Sequence, residues 1–403
     1  MSIYLPSGLT AAEVLRNEGI NVIEGRPDAA SWSGLRVGIV NLMPTKEATE
    51  LALARLVAQA QPDAEIVLIA PGSYEPRHVT REYLARFYRR WPEVRTETFD
   101  ALIVTGAPVE TLPFEEVSYW SEMREIFDWA RAHVTTSLYI CWAAQAALHF
   151  FRGLDKRALP QKAFGVFKQD VLAPHSPLMR GLGGSFPAPV SRHSEIAANA
   201  LAAPGLEVIA QSQETGACIV ADRENRAVCI FDHLEYGDRT LDLEFERDVA
   251  TGKPIYPPRN ACGGRAWQAE AALFYRNWLD LAAKQRAERD AGLAWLFSAS
   301  AMPSNGRGAR LVLQAEYRPH ILAEAVACLS SHGFEPALAR VHHRNDVLTS
   351  VVVDLVQGSA DLVERAANSL LAVRGVTRVV FRLPGSSGGV LRPRTLEPLA
   401  CAA

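Results

Sequence analysis

Cys141 ends the run SLYIC and is followed at once by WAAQAALHFF, so a predicted strand turns into a predicted helix at a thiol. That is the geometry of a nucleophile elbow. The thiol faces the positive end of the helix dipole and free backbone N–H groups, both of which favour thiolate. Ala143 and Ala144 leave space for a tight turn and for a substrate's approach. A lone Cys at a strand end is more often a small buried hydrophobe, but a second segment changes the reading. In FDHLEY an apolar strand leads into His233 and Glu235, two residues apart. An extended chain would put both on one side, the carboxylate orienting the imidazole. Cys141, His233 and Glu235 would then be nucleophile, base and orienter in that chain order. Without the Cys, the His and Glu read as a polar surface turn. The adjacent His342 and His343 lie far downstream and have no elbow partner.

These residues need elements to hold them. LRVGIV (35–40), AEIVLIAP (64–71), DALIVTGA (100–107) and TSLYIC (136–141) read as buried strands, and residues 46–60, 79–91 and 117–132 carry apolar positions at helical spacing. This alternation predicts a doubly wound α/β sheet. Runs at 206–212, 218–225 and 226–233 predict antiparallel strands, followed by a helix from about Arg239 and a long one from Arg265 to Asp290. The catalytic part is expected over 1–297, with a Ser- and Gly-rich linker at 298–310. Residues 311–384 then show the order βαββαβ, the ferredoxin-like plan. A tail, 385–403, is expected to be disordered.

Composition narrows the function. At 403 residues the chain has room for two or three domains. Its 42 Lys plus Arg against 45 Asp plus Glu remove the basic excess that nonspecific nucleic-acid binding requires. The N-terminus lacks a cationic start and an apolar core, and no apolar run approaches a membrane span. The six Cys include no CxxC pair, so neither a zinc site nor a disulfide framework is indicated, and a reduced cytoplasmic setting is expected. No metal cluster is expected in the catalytic part.

Six blocks carry a resemblance: NLMPTKEATE (41–50), LIVTGAPVETLPFEEVSYW (102–120), ICWAAQAALHFF (140–151), GLDKRALPQKAFGVF (153–167), SRHSE (191–195) and DHLEYGDRTLDLEFERD (232–248). In this order, over about residues 1–285, they resemble the homoserine O-acyltransferases, whose fold is similar to class I glutamine amidotransferases. The resemblance implies ping-pong transfer from an acyl-coenzyme A through a Cys141 thioester to the hydroxyl of L-homoserine, with His233 as general base. It implies no bound cofactor, acetyl-CoA being a co-substrate. Lys46, with the Trp142 N–H, is implied to stabilise the oxyanion; standing alone, NLMPTK would make Lys46 a solvated residue at a helix start. Ser191, Arg192, Arg247 and Lys162 match positions associated with the amino-acid substrate, where an arginine fork would clamp a carboxylate. As isolated residues the arginines would read as surface charges. Glu110, at a position where the family's Glu goes with acetyl and Gly with succinyl transfer, implies acetyl-CoA, since a carboxylate there would repel a distal succinyl carboxylate. Asp232 and Leu234 depart from the family's Gly and Pro beside the His, and these departures leave serine open as the acceptor.

The C-terminal segments YRPHILAEAVACLSSHG and SLLAVRGVTRVVF resemble an ACT domain, which implies either an amino-acid effector such as methionine or a dimerisation module without ligand. His320 stands where that module's Gly usually follows RP, which argues against ligand at the first turn. Both parts imply a homodimer. Two other classes compete. A glutamine amidotransferase or other cysteine hydrolase would share the elbow and the His-x-Glu pair, and a non-catalytic amino-acid sensor would use the small domain alone.

Overall fold

The structure, a computed structural model, describes residues 2–28, 32–60, 63–74, 79–252, 255–260, 266–298, 309–316, 320–343, 348–355, 359–373 and 376–382. The chain divides into two compact units, one made of Met1–Val94, Phe99–Ala130 and Val134–Lys284, the other of Arg95–Thr98, Arg131–His133 and Gln285–Ala403.

The first unit opens with β1 (Ser2–Leu5), α1 (Thr10–Asn17) and β2 (Val22–Glu24), a βαβ unit too short to stand out in the apolar pattern. The alternation then runs β3 (Leu35–Val40), α2 (Lys46–Ala60), β4 (Asp63–Ala70), α3 (Arg81–Phe87), β5 (Arg89–Arg90), α4 (Trp91–Val94), β6 (Phe99–Val104), α5 (Trp120–His133), β7 (Val134–Ile140) and α6 (Trp142–Arg152). The helix predicted over 79–91 is in fact α3, started by the Thr80 side chain accepting the Tyr83 N–H at 3.2 Å, and it stops short. Pro92 fits only the first turn of the next helix. Gly153, in the left-handed region at φ 66°, closes α6 with its N–H on the His149 carbonyl.

Then come β8 (Lys156–Val171), β9 (Ser185–Ile196), β10 (Leu206–Ser212), β11 (Gly216–Asp222), β12 (Ala227–Ile230), α7 (Thr240–Ala250) and α8 (Gln268–Ser298). Neither β8 nor β9 is expected from the sequence, because Pro160, Pro187 and Pro189 argue against strand. The sheet accommodates them at its margin. Its order is β2-β1-β4-β3-β6-β7-β12-β11-β10-β8-β9, with β9 at the edge and a register shift in β8 between Ala158 and Ala163.

From β2 to β12 neighbouring strands are parallel; from β12 to β9 they are antiparallel. Strands β6 and β7 are buried along their whole length, as parallel strands covered on both faces must be. Their alternate side chains enter different cores. Ala101, Ile103, Leu138 and Ile140 join Leu53 and Val57 of α2 and Phe274, Trp278 and Leu279 of α8. Leu102, Val104 and Tyr139 join Met123, Ile126 and Phe127 of α5 and Ala143, Ala146 and Ala147 of α6. Each face of the sheet thus has its own helix layer, the doubly wound architecture expected.

The second unit holds β13 (Ala309–Glu316), α9 (Ile321–Ser331), β14 (Pro336–His343), β15 (Leu348–Leu355), α10 (Ala360–Leu371) and β16 (Val376–Arg382). The sheet order β14-β15-β13-β16 is antiparallel throughout, the ferredoxin-like arrangement. Leu311, Leu313, Val351 and Val353 pack on Ala325 and Leu329 of α9 and Val363, Ala367 and Leu370 of α10. The division between the units falls within α8, at Lys284/Gln285. Of the expected linker only Ser298 and Ala309–Arg310 are described, and the tail 385–403 lies outside the described residues.

Candidate active site

Register brings the two halves of the site together. Parallel pairing of β12 with β7 sets Ile230 beside Ile140, so the chain leaving β12 toward His233 emerges next to Cys141. The Cys141 N–H donates to the Ile230 carbonyl at 2.7 Å, and its backbone sits at φ 51°, ψ −112°, a strained conformation for a residue with a side chain. The Ala144 and Gln145 N–H groups both take the Cys141 carbonyl. The first turn therefore leaves the Trp142 and Ala143 N–H groups without an intrahelical acceptor, next to the thiol.

His233 is buried beside Cys141, both lying against Gly106. Its Nδ1 lies 2.7 Å from Glu235 Oε1. The segment is not extended as the sequence suggested: β12 ends at Ile230, and His233 to Tyr236 form a turn closed by the Tyr236 N–H on the His233 carbonyl at 3.2 Å. The His233 N–H is drawn aside to Pro189 of β9, so Glu235 meets the imidazole across a turn and not by strand alternation. Burial alone would lower the His233 pKa; the charges of Glu235 and Cys141 outweigh it and raise the pKa well above the ordinary value. Gly106, after β6, keeps the front of the pair open. A Cβ there would lie 3.3 Å from Cys141 Cβ and 3.9 Å from His233 Cε1.

Tyr236 stacks on the His233 ring at 4.2 Å, and its hydroxyl reaches Glu244 of α7 at 3.4 Å. Around Glu244 the structure assembles several of the expected residues. Ser191 Oγ donates to it at 2.7 Å and Lys162 Nζ at 2.8 Å, while Arg247 lies 3.5 Å away and binds Asp248 at 2.8 Å. Burial would raise the Glu244 carboxyl, but Lys162 and Ser191 hold it below its usual range. Glu244, Asp248 and Tyr236 are absent from the sequence-based site; the signal for the carboxylates was their place on the helix face that also carries Arg247.

Arg192 does not join this group. Consecutive strand residues face opposite ways, so while Ser191 points to Glu244, the Arg192 guanidinium is buried against the carbonyls of Thr215 and Ala217 (3.2 Å to the latter) and 3.5 Å from Asp232. Lys46 is not a solvated helix-start residue either. It is 4% exposed, donates to the carbonyls of Asn41 at 2.6 Å and Met43 at 3.4 Å, and lies over the Tyr88 ring. Burial lowers its pKa to about 8, with Glu50 opposing that shift. Glu110 lies partly buried in the loop after β6, and its carbonyl accepts from Lys156 Nζ at 2.8 Å. Among the described residues no three His, Cys, Asp or Glu side chains are grouped to hold a metal ion, and no helix is long and apolar enough to cross a membrane.

A thiol at a strand-to-helix elbow, beside an imidazole that a carboxylate orients, is equipment for covalent acyl transfer. Comparison with known proteins makes the class specific. The family model for homoserine O-succinyltransferase matches residues 2–289. A homoserine O-acetyltransferase of Rhizorhabdus wittichii is 43% identical over 292 residues, 70% of this chain and 90% of that protein. Another from Sinorhizobium fredii is 39% identical over 290 residues, 70% of this chain and 94% of that protein. The chain belongs to the homoserine O-acyltransferase family and is an acyltransferase. The likeness to a solved glutamine amidotransferase from Thermotoga maritima is slight, with TM-score 0.46 and 12% identity over 62% of this chain and 99% of that one.

Proposed function

We propose that this chain transfers an acetyl group from acetyl-CoA to the hydroxyl of L-homoserine through an acetyl-Cys141 intermediate, a step of methionine biosynthesis. One observation carries the reading: the Cys141–His233 pair is linked through Tyr236 to a cluster offering both charge signs. An α-amino acid presents both signs in return. Glu244 suits its ammonium, while Lys162 and the half-exposed Arg247 suit its carboxylate. Arg192, held by Asp232, leaves that clamp to them.

In the first half-reaction the Cys141 sulfur attacks the thioester carbonyl. Negative charge gathers on the carbonyl oxygen, which the Trp142 and Ala143 N–H groups receive in this reading, with the Lys46 ammonium as the source of positive charge. The carbon–sulfur bond to coenzyme A breaks, and its thiolate takes the proton from His233. In the second half-reaction neutral His233 removes the homoserine hydroxyl proton as that oxygen attacks the acetyl carbonyl, and Cys141 leaves. Glu235 steadies the imidazolium each time. Glu110 favours acetyl over succinyl by charge repulsion.

No bound cofactor takes part in this reading. The protein is proposed to work in the cytoplasm as a homodimer. The ferredoxin-like unit is proposed to take an amino-acid effector; if truncation after residue 297 left inhibition by methionine unchanged, that role would be lost.

Intact-protein mass spectrometry tests the chemistry. Incubation with acetyl-CoA should add one acetyl group, absent in Cys141→Ala, and homoserine should discharge it. Discharge only by serine would change the acceptor, and labelling only by succinyl-CoA would change the donor. If neither donor labels the protein and glutamine is hydrolysed instead, the acyl-transfer reading fails.

A further inference from the structure

The loop between β6 and α5 carries Glu110, and one side chain from another part of the chain grips it. Lys156, the first residue of β8, donates from Nζ to the Glu110 carbonyl at 2.8 Å and to the Leu112 carbonyl at 2.6 Å. Its ammonium also lies 4.4 Å from the centre of the Phe114 ring. That ring also stacks on His149 of α6 at 4.7 Å, and His149 Nε2 meets Glu115 at 3.2 Å. The loop is thus tied at one end to the start of β8 and at the other to the helix whose N-terminus holds Cys141.

The Lys156 bonds are the ones with leverage. They go to backbone carbonyls on both sides of residue 111, so they fix the path of the loop at Glu110 whatever its side chain does. Charge-assisted bonds to carbonyls are stronger than neutral ones, and losing the donor leaves both acceptors to find water or a new path. Burial lowers the Lys156 pKa, while the charges of Glu110 and Cys141 oppose that shift, so loop, ammonium and nucleophile share one electrostatic neighbourhood.

We propose that Lys156 is a positioning residue for acyl-donor selection: by holding the carbonyls of Glu110 and Leu112 it sets where the Glu110 carboxylate stands relative to the incoming acyl chain. The proposal rests on the reading of Glu110 as the group that discriminates between donors. It gives Lys156 no contact with reacting atoms.

The experiment compares full-length wild type, Lys156→Met, Lys156→Arg and Glu110→Gly, each assayed with acetyl-CoA and succinyl-CoA. Hydrogen exchange of residues 107–114 is followed in the same proteins. Lys156→Met should lower the acetyl-to-succinyl ratio of kcat/KM about tenfold, the size of one charge-assisted hydrogen bond lost, and speed exchange across the loop. Lys156→Arg, which can still donate to both carbonyls, should restore most of the ratio. An unchanged ratio in Lys156→Met beside a changed one in Glu110→Gly would overturn the proposal alone. If Glu110→Gly left the ratio unchanged, the reading of Glu110 would fall and the proposal with it. A KM raised equally for both donors, with normal exchange, would make Lys156 a donor-binding cation and also overturn it.

Discussion

Each unit of the molecule buries an arginine–aspartate pair, and the two pairs are built differently. In the ferredoxin-like unit Arg310 and Asp354 are direct cross-strand partners on β13 and β15, joined by two bonds of 2.6 and 2.8 Å. The fork meets the carboxylate edge to edge. In the α/β unit Arg192 approaches Asp232 only to 3.5 Å, and among the described residues no N–H or O–H group donates to either Asp232 oxygen, which has the buried Cys218 thiol for a neighbour, though both groups of the pair are almost fully buried. Burial raises the Asp232 pKa and Arg192 counters it. Sheet register sets the first pair directly opposite each other. The second is fixed by other demands, for Asp232 precedes His233, the proposed base, and β9 also presents Ser191 to Glu244 and the Pro189 carbonyl to His233. A buried pair left incomplete next to the chemistry suits a site that gives geometry precedence over stability.

The largest effect should come from the carboxylate bonded to the His233 ring. Glu235→Gln keeps the shape but loses the charge that steadies the imidazolium, and kcat should fall by about 10^3 to 10^4, the scale for the equivalent change in a catalytic triad. The same variant fixes a sign. Glu235 raises the His233 pKa, so its removal should move the ascending limb of the deacylation rate, which follows neutral His233, to lower pH. A limb that stayed in place would mean that His233 is not the base.

Next is the complete pair. Asp354→Ala removes the carboxylate that holds Arg310 by two bonds and should destabilise the ferredoxin-like unit by about 3–5 kcal/mol, read as an earlier denaturant transition of that unit. The incomplete pair should respond less. Asp232→Asn, similar in shape, should cost about 1–3 kcal/mol of stability while moving the His233-dependent limb to lower pH, because Asp232 also interacts with His233. Equal losses in the two variants, with no change in the pH profile, would erase the contrast drawn between the pairs.

The smallest effect concerns Lys46. Its ammonium is lost as pH rises through about 8, so if that charge stabilises the oxyanion, acyl transfer should decline over that interval. Lys46→Arg, charged throughout, should lack the decline. A wild-type rate that stayed level from pH 7 to well above 8 would remove Lys46 from the oxyanion role.

The chemistry was legible where it was local. A thiol at a strand-to-helix junction and a His-x-Glu tripeptide are short patterns, and Cys141, His233 and Glu235 follow from them. The parallel core strands were legible because strands covered on both faces must be continuously apolar, and the small unit because its elements alternate plainly. The β8–β9 hairpin was not, since its prolines argue against strand and only a place at the sheet margin admits them.

What the sequence determined by itself was which groups could react and which runs could be strands. Tertiary structure decided which of them meet. That His233 stands at Cys141 depends on the register of β12 against β7, set by chain segments about ninety residues apart. That Ser191 faces Glu244 and Arg192 turns away from it follows from the alternation of a strand whose existence the sequence did not announce. That Glu244, Tyr236 and Lys156 border the site follows from a helix, a turn and a strand end that converge only in space. The reason is the same each time: side-chain chemistry is a property of the residue, but its neighbours are chosen by sheet order and register, which are long-range pairings.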